Sequence, residues 1–293
     1  MLDFGRVVTA MITPFKKDYG LDLEKAAAIA QHLEKNGSQG IVVSGTTGES
    51  PTLSKSEKVA LFETVKSAVL DKTAVLAGTG TNCTRDSVAL TKEAEAVGVD
   101  GIMAVVPYYN KPSQEGLYQH FKAIAQATRL PVMVYNVPSR TALNLQPRTV
   151  KRLSEIDNII AIKEAANDVE QAAEIKKLCG PDFKIYSGND SFTLPMLSLG
   201  GHGVVSVASH IVGSEIGEMI SEYLGGNTSR AWEINLKLLP LFKVLFIASN
   251  PVPLKKALNL LGFDVGPVRL PLVEMEEAEA KILEQCLKDY GLL

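Results

Sequence analysis

The sequence predicts an α/β fold: a closed (β/α)8 barrel of the TIM type over residues 1–224, followed by a C-terminal helical domain over residues 225–293. Three observations carry this. Short apolar runs rich in Val and Ile alternate with longer amphipathic runs. The alternation recurs about every 25 to 30 residues, the size of a βα unit. It occurs eight times before the strand signal stops near Leu224. Strands this apolar are buried on both faces, as in a parallel sheet covered by helices. Eight even units close most simply into a barrel. An open doubly wound sheet is the alternative, and it fits poorly because no Gly-rich dinucleotide turn follows a strand.

The spacing predicts strands over 7–12, 40–44, 74–78, 101–106, 131–135, 159–163, 184–187 and 203–207. Asp22 opens a helix that Gly37 stops, and Ser54 with Glu57 forms a capping box for the next. Thr84 is expected to cap a helix that Gly98 ends, and Asp168 to start the one through 178. Further helices are expected over 113–127, 147–155, 191–199 and from about 212. Beyond Gly225-Gly226-Asn227 the pattern is helical only, over 229–247, 252–261 and 274–290, with prolines between.

Composition narrows the function classes. A net charge of -3 and a pI near 5.9 leave no nucleic-acid footprint. No apolar run is long enough to span a membrane. The first ten residues lack a basic stretch before an apolar core, so a cytoplasmic location is expected. Three separated cysteines and no CxxC fit free thiols in a reducing compartment. The four histidines form no metal-binding spacing, so no metal is expected, and His32 and His120 are expected on helix surfaces. Neither GxGxxG nor GxxxxGK[ST] occurs. No cofactor is therefore expected, and the chemistry must use side chains.

In such a barrel the site lies at the carboxyl ends of the strands. The residues expected there are Thr46 and Thr47, Thr81 and Asn82, Tyr108 and Tyr109, Tyr135 with Arg140 beyond it, Lys163, Ser187 to Asn189, and Ser206 beside Val205. Lys163 ends an apolar strand, Ile159-Ile160-Ala161-Ile162. Partial desolvation would lower its pKa and free the amine to attack a carbonyl. It could equally snorkel to water or pair with Glu164. Taken singly, the other members also have ordinary readings: a Gly-Thr turn, packing tyrosines, a surface arginine. Together they suit a small anionic substrate bearing a carbonyl. No inward carboxylate pair is expected, which argues against glycoside hydrolysis.

Four motifs occur in order: Gly45-Thr46-Thr47-Gly48-Glu49-Ser50, Pro107-Tyr108-Tyr109-Asn110-Lys111-Pro112, Tyr135-Asn136-Val137-Pro138-Ser139-Arg140-Thr141 and Ile162-Lys163-Glu164. With them the chain resembles, over essentially its full length, the dihydrodipicolinate synthase (4-hydroxy-tetrahydrodipicolinate synthase) family of pyruvate-dependent class I aldolases. The resemblance implies that Lys163 forms an imine with pyruvate and that the turn at Thr46 and Thr47 holds the pyruvate carboxylate. It implies that Tyr135 donates and accepts protons, and that Thr47 and Tyr109 relay them to solvent. Tyr109 would come from an adjacent subunit. Arg140 would grip the carboxylate of L-aspartate 4-semialdehyde, and the backbone carbonyl of Val205 would line the site. The family is usually a homotetramer, a dimer of dimers.

The residues that match the family's lysine-inhibition site are Ser50, Pro51, Lys55, Lys58, Asn82, Asp86 and Tyr108. Lys55 and Lys58 stand where inhibited members carry histidines, and two ammonium groups would repel a lysine ligand, so weak or absent feedback is expected. The alternative function is a related aldolase, N-acetylneuraminate lyase or a 2-keto-3-deoxy sugar acid aldolase. The Ser139-Arg140-Thr141 triplet argues against it. A non-catalytic pyruvate binder would need no proton relay.

Overall fold

The computed structural model describes residues 3–70 and 72–293. Its strands are β1 (Val7–Ala10), β2 (Gly40–Val43), β3 (Ala74–Gly78), β4 (Gly101–Val105), β5 (Val132–Asn136), β6 (Ile159–Glu164), β7 (Lys184–Ser187) and β8 (Gly203–Ser206). They form a closed barrel in sequence order, every neighbouring pair parallel, with β8 paired to β1. The helices are α1 (Leu23–Lys35), α2 (Lys55–Ala68), α3 (Thr84–Val97), α4 (Gln114–Gln126), the one-turn α5 (Pro138–Thr141), α6 (Pro147–Leu153), α7 (Val169–Cys179), α8 (Thr193–Ser198) and α9 (Ser209–Leu224). After them come α10 (Thr228–Val244), α11 (Val252–Leu260) and α12 (Glu277–Asp289). Among the described residues no helix is long and apolar enough to cross a membrane.

Strand side chains alternate between two cores. Val8, Val42, Leu76, Met103, Met133, Ala161, Tyr186 and Val205 fill the barrel interior. Val7, Ile41, Val75, Ile102, Val134, Ile162, Ile185 and Val204 face the helix layer. This is why the runs read as continuously apolar: each face of the sheet removes its own side chains from water, at roughly 1.5–3 kcal/mol per large residue.

The expected elements are present, with shifts at their ends. β1 stops at Ala10, although Met11 N–H still donates to Val42 O at 3.0 Å. β5 starts after Pro131, whose nitrogen carries no proton, while its carbonyl accepts from Ile102 N–H. Asp22 and Asp168 cap α1 and α7, and Ser54 with Glu57 closes the capping box of α2. Thr84 does not cap α3. It is the first helical residue, and its hydroxyl instead bonds His120 Nδ1 at 2.9 Å. His120 is therefore buried on the inner face of α4, not on the surface, and desolvation pulls its pKa down to about 4. His32 is half-buried, with Nε2 2.9 Å from His210 O. The surface expectation fails for both because an imidazole flanked by apolar helix positions packs inward and finds a local partner.

Helix α10 ends at Val244, short of the expected 247. Residues 245–251 become a connection ahead of Pro251, and Pro251 disfavours helical backbone at Asn250. That connection reaches the mouth of the barrel.

Candidate active site

Lys163 stands at the carboxyl end of β6, in register with Tyr135 on β5 and Tyr186 on β7. It points into the barrel and is 5% exposed, a deeper burial than the half-desolvation expected from sequence. Glu164 is not its partner. Alternation turns Glu164 to the helix side, where it accepts from Asn136 Nδ2, Gln171 Nε2 and the Ala166 N–H. The Lys163 ammonium lies 4.2 Å from the centroid of the Tyr135 ring. Burial brings the Lys163 pKa down to about 7; Asp190 opposes the shift and Arg140 adds to it. Burial raises the Tyr135 pKa, while Arg140 and the Thr46 hydroxyl pull it back.

Two adjoining cavities meet at this point. One, of about 170 Å³, is lined by Lys163, Thr46, Thr47, Tyr135, Arg140 and Asn250 among others. The second, of about 240 Å³, shares Thr46, Tyr135 and Arg140 and extends to Ser50, Pro51 and Tyr108. The smaller cavity is the one that Lys163 lines. The larger one is an extension away from it.

The turn 45–48 that follows β2 is bracketed by Ser44 and Glu49, both in left-handed backbone, at φ 59° and 54°. Its placement depends on glycines: a side chain at Gly78 would strike Ser44 O, and one at Gly48 would lie 3.1 Å from Met11 O. Thr13 Oγ1 donates to Gly48 O at 2.6 Å. Glu49 is buried beneath the turn, its Oε1 2.7 Å from Lys255 Nζ of α11, and its Oε2 accepts from the Arg269 N–H at 2.8 Å. Arg269 also bonds Glu57 and the carbonyls of Tyr19 and Thr52. The chain beyond α10 thus holds the threonine turn from behind.

The structure brings Thr46, Thr47, Tyr135, Arg140 and Lys163 together around one cavity. Tyr109 does not join them in its own chain: it is 89% exposed, with φ 74°. Val205 is buried in the barrel interior, and Val207 is the residue of that segment that lines the cavity. Ser206, expected at the site, faces outward and donates to Asp190. Thr81 bonds Cys83 and Ser87 in its own turn. Of the second set, Ser50, Pro51 and Tyr108 line the larger cavity. Lys55 pairs with Glu93, and the buried Lys58 has its pKa lowered by desolvation. Asn82 accepts at its carbonyl from Asn110 Nδ2, and Asp86 pairs with Arg85 on the surface.

Two residues escaped the sequence reading. Asp190 is buried after β7; its carboxylate accepts from Ser206 Oγ and from the N–H groups of Val207 and Ala208 at 3.1 and 3.2 Å, which pins the turn between β8 and α9. The position directly after Gly188-Asn189 carried a signal, since a carboxylate there lies one turn from the strand end. Asn250 comes from the connection after α10 and had no sequence signal, because only folding brings it to Thr47.

Comparison with known proteins follows the same lines. The model of the Dihydrodipicolinate synthetase family matches residues 3–290. The 4-hydroxy-tetrahydrodipicolinate synthase of Heliobacterium modesticaldum is 56% identical over 291 residues, covering 99% of this chain and 97% of that protein. That of Thermosynechococcus vestitus is 54% identical over 294 residues, covering 100% and 99%. Among solved structures, DHDPS from Cyanidioschyzon merolae with lysine bound has a TM-score of 0.98 at 49% identity, covering 99% of each chain. Dihydrodipicolinate synthase from Thermotoga maritima has a TM-score of 0.96 at 42% identity, covering 99% of this chain and 100% of that one. With the family model matching residues 3–290 and relatives more than half identical over nearly the full length, the chain belongs to the dihydrodipicolinate synthetase family.

Proposed function

We propose that this chain condenses pyruvate with L-aspartate 4-semialdehyde to give 4-hydroxy-tetrahydrodipicolinate, the first committed step of the diaminopimelate route to lysine. The observation that carries the reading is the buried Lys163 amine beside the Tyr135 phenol, in a cavity that Arg140 and Thr46 also line. The neutral amine adds to the keto carbon of pyruvate, and water leaves as the imine forms. Tyr135 supplies and removes the protons, and the Thr46 hydroxyl, which bonds its phenol and not Thr47 as the resemblance implied, is the next group of the relay. The imine acidifies the pyruvate methyl, and loss of one proton gives the enamine. The enamine carbon bonds to the aldehyde carbon, whose oxygen takes up a proton. The semialdehyde amine then displaces Lys163 by transimination and closes the ring. The turn at Thr46 and Thr47 receives the pyruvate. Arg140 offers a planar fork to the semialdehyde carboxylate.

The covalent imine needs no further cofactor. Tyr109, exposed in its own chain, serves the relay of a neighbouring subunit, in a homotetramer built as a dimer of dimers. The setting is the cytoplasm. The test is borohydride reduction in the presence of pyruvate, followed by peptide mass mapping. The pyruvate adduct is expected on Lys163, and an adduct elsewhere or none would overturn the mechanism. Turnover with pyruvate and aspartate semialdehyde, against pyruvate and an aldose, separates this reading from a sugar-acid aldolase.

Feedback by L-lysine is weak or absent in this reading, because Lys55 and Lys58 stand where inhibited members of the family carry histidines. Activity is expected to hold at submillimolar lysine; half-maximal inhibition there would refute it.

A further inference from the structure

Among the described residues, the two cavities are lined by two cationic side chains, Lys163 and Arg140, and by no carboxylate. Glu164 lies on the helix side of β6 and is spent on Asn136, Gln171 and the Ala166 N–H. One other carboxylate stands directly behind the cavity wall. Gly188, Asn189 and Val207 line the smaller cavity. Asp190 follows Asn189 and is 1% exposed; its Oδ2 accepts from the Val207 N–H at 3.1 Å and the Ala208 N–H at 3.2 Å. Its Oδ1 accepts from Ser206 Oγ, which itself accepts from the Ser209 N–H at 2.9 Å. Both oxygens thus meet donors, which favours the ionised form. Asp190 follows β7, the strand paired with β6, where Tyr186 is in register with Lys163. Burial raises the Asp190 pKa, while its three donors and the Lys163 charge pull it back. A neutral acceptor could pin the turn after β8 at less cost than a buried charge.

We propose that Asp190 is a positioning residue that acts through Lys163: its buried carboxylate, locked behind the cavity wall by the turn after β8, is the counter-charge of the protonated imine. The imine nitrogen must carry a proton to draw electrons from the pyruvate methyl. That positive charge forms in a site that already holds Arg140 and excludes water. A fixed negative charge nearby keeps the nitrogen protonated without touching substrate. The other ionisable groups around Lys163 are the phenols of Tyr135 on β5 and Tyr186 on β7, Arg140 on α5, and Glu164 on the opposite face of β6. Of these Glu164 alone is anionic, and it is turned away. The sign follows. Removing the Asp190 charge leaves both the ammonium and the protonated imine less stable, so each loses its proton at a lower pH. The inference rests on the imine at Lys163 given above.

The test compares Asp190→Asn with the wild type, both full length and given pyruvate alone. The asparagine is near-isosteric: its carbonyl can accept from Val207 and Ala208, and its amide can donate to Ser206 Oγ. Two readouts are taken. The first is the rate of imine formation across pH, by rapid-quench borohydride trapping and intact mass. At pH 6 about a tenth of the wild-type amine is neutral; a midpoint about one pH unit lower makes it about half, so Asp190→Asn is expected to react about fivefold faster there. The second is the pH at which the imine nitrogen loses its proton, by NMR of protein carrying ε-15N-lysine. That midpoint is expected about one pH unit lower in Asp190→Asn. A variant that merely loosens the turn would not gain rate at pH 6. Unchanged midpoints, or a loss of rate at every pH, would overturn the proposal and leave Asp190 a structural pin. Ser206→Ala removes one donor and keeps the charge, and is expected within about twofold of the wild type at pH 6. A fivefold gain there would assign the effect to the turn and also overturn the proposal. Should Asp190→Asn not fold, as judged by its thermal melt, Asp190→Ser carries the same comparison. Failure of the wild type to turn over aspartate semialdehyde would sink that substrate and leave both readouts intact. An imine on another residue would overturn the mechanism and this inference together.

Discussion

Lys163 shows what burial does to a single amine. The ammonium loses its water inside the barrel, so the neutral form is favoured and the pKa falls to about 7. Below that value the amine is protonated and cannot attack; above it the amine is free. Imine formation with pyruvate is expected to fall roughly tenfold per unit below pH 7 and to level off above about pH 8. Borohydride trapping rates across pH 5.5 to 9 check this, and a flat profile would contradict it. The residue was legible in the sequence because a lysine closing an unbroken apolar strand is uncommon. Its freedom from Glu164 was not legible in composition, but it follows from alternation once the strand is placed: adjacent residues face opposite sides of the sheet. Asn250 was illegible, since an isolated asparagine before a proline reads as a turn and nothing else.

At the level of the element, the threonine turn is the part that needs support. Two non-glycine residues in left-handed backbone flank it, each costing about 1 kcal/mol or more. The support is a buried ion pair from another part of the chain: Lys255 is 2% exposed, lies 4.2 Å from the centre of the Phe15 ring, and donates to Pro267 O as well as facing Glu49. Removing one partner strands a buried charge. Glu49→Gln is expected to destabilise the protein by about 3–5 kcal/mol, measured by urea denaturation. Adding Lys255→Met should restore most of it; a double variant no more stable than the single one would show that the pair is not the support. The sequence made the turn visible through its glycines and threonines but not its brace, because α11 and the turn are joined only by folding.

At the scale of the whole molecule, the chain completes its amine, phenol and guanidinium by itself, while Tyr109 stands in solvent. If a neighbouring subunit supplies it, two inactive variants can repair each other. Lys163→Ala mixed with Tyr109→Phe, dissociated and reassembled together, should regain about a quarter of the wild-type activity per chain. No recovery above the sum of the two variants, with mixed oligomers present by native mass spectrometry, would place Tyr109 outside the site.

The sequence by itself determined the barrel, the order of its strands and the residues that stand at their ends. Those depend on local periodicity and on the rule that parallel strands present their carboxyl ends to one face. It therefore located Lys163, Tyr135, Thr46, Thr47 and Arg140 without coordinates. Only the tertiary structure decided which neighbours complete them. Asn250 against Thr47, Lys255 against Glu49, and Asp190 against the turn after β8 are contacts between segments distant in sequence. No local pattern records them, because they exist only when the barrel has closed and the later helices have packed against its mouth.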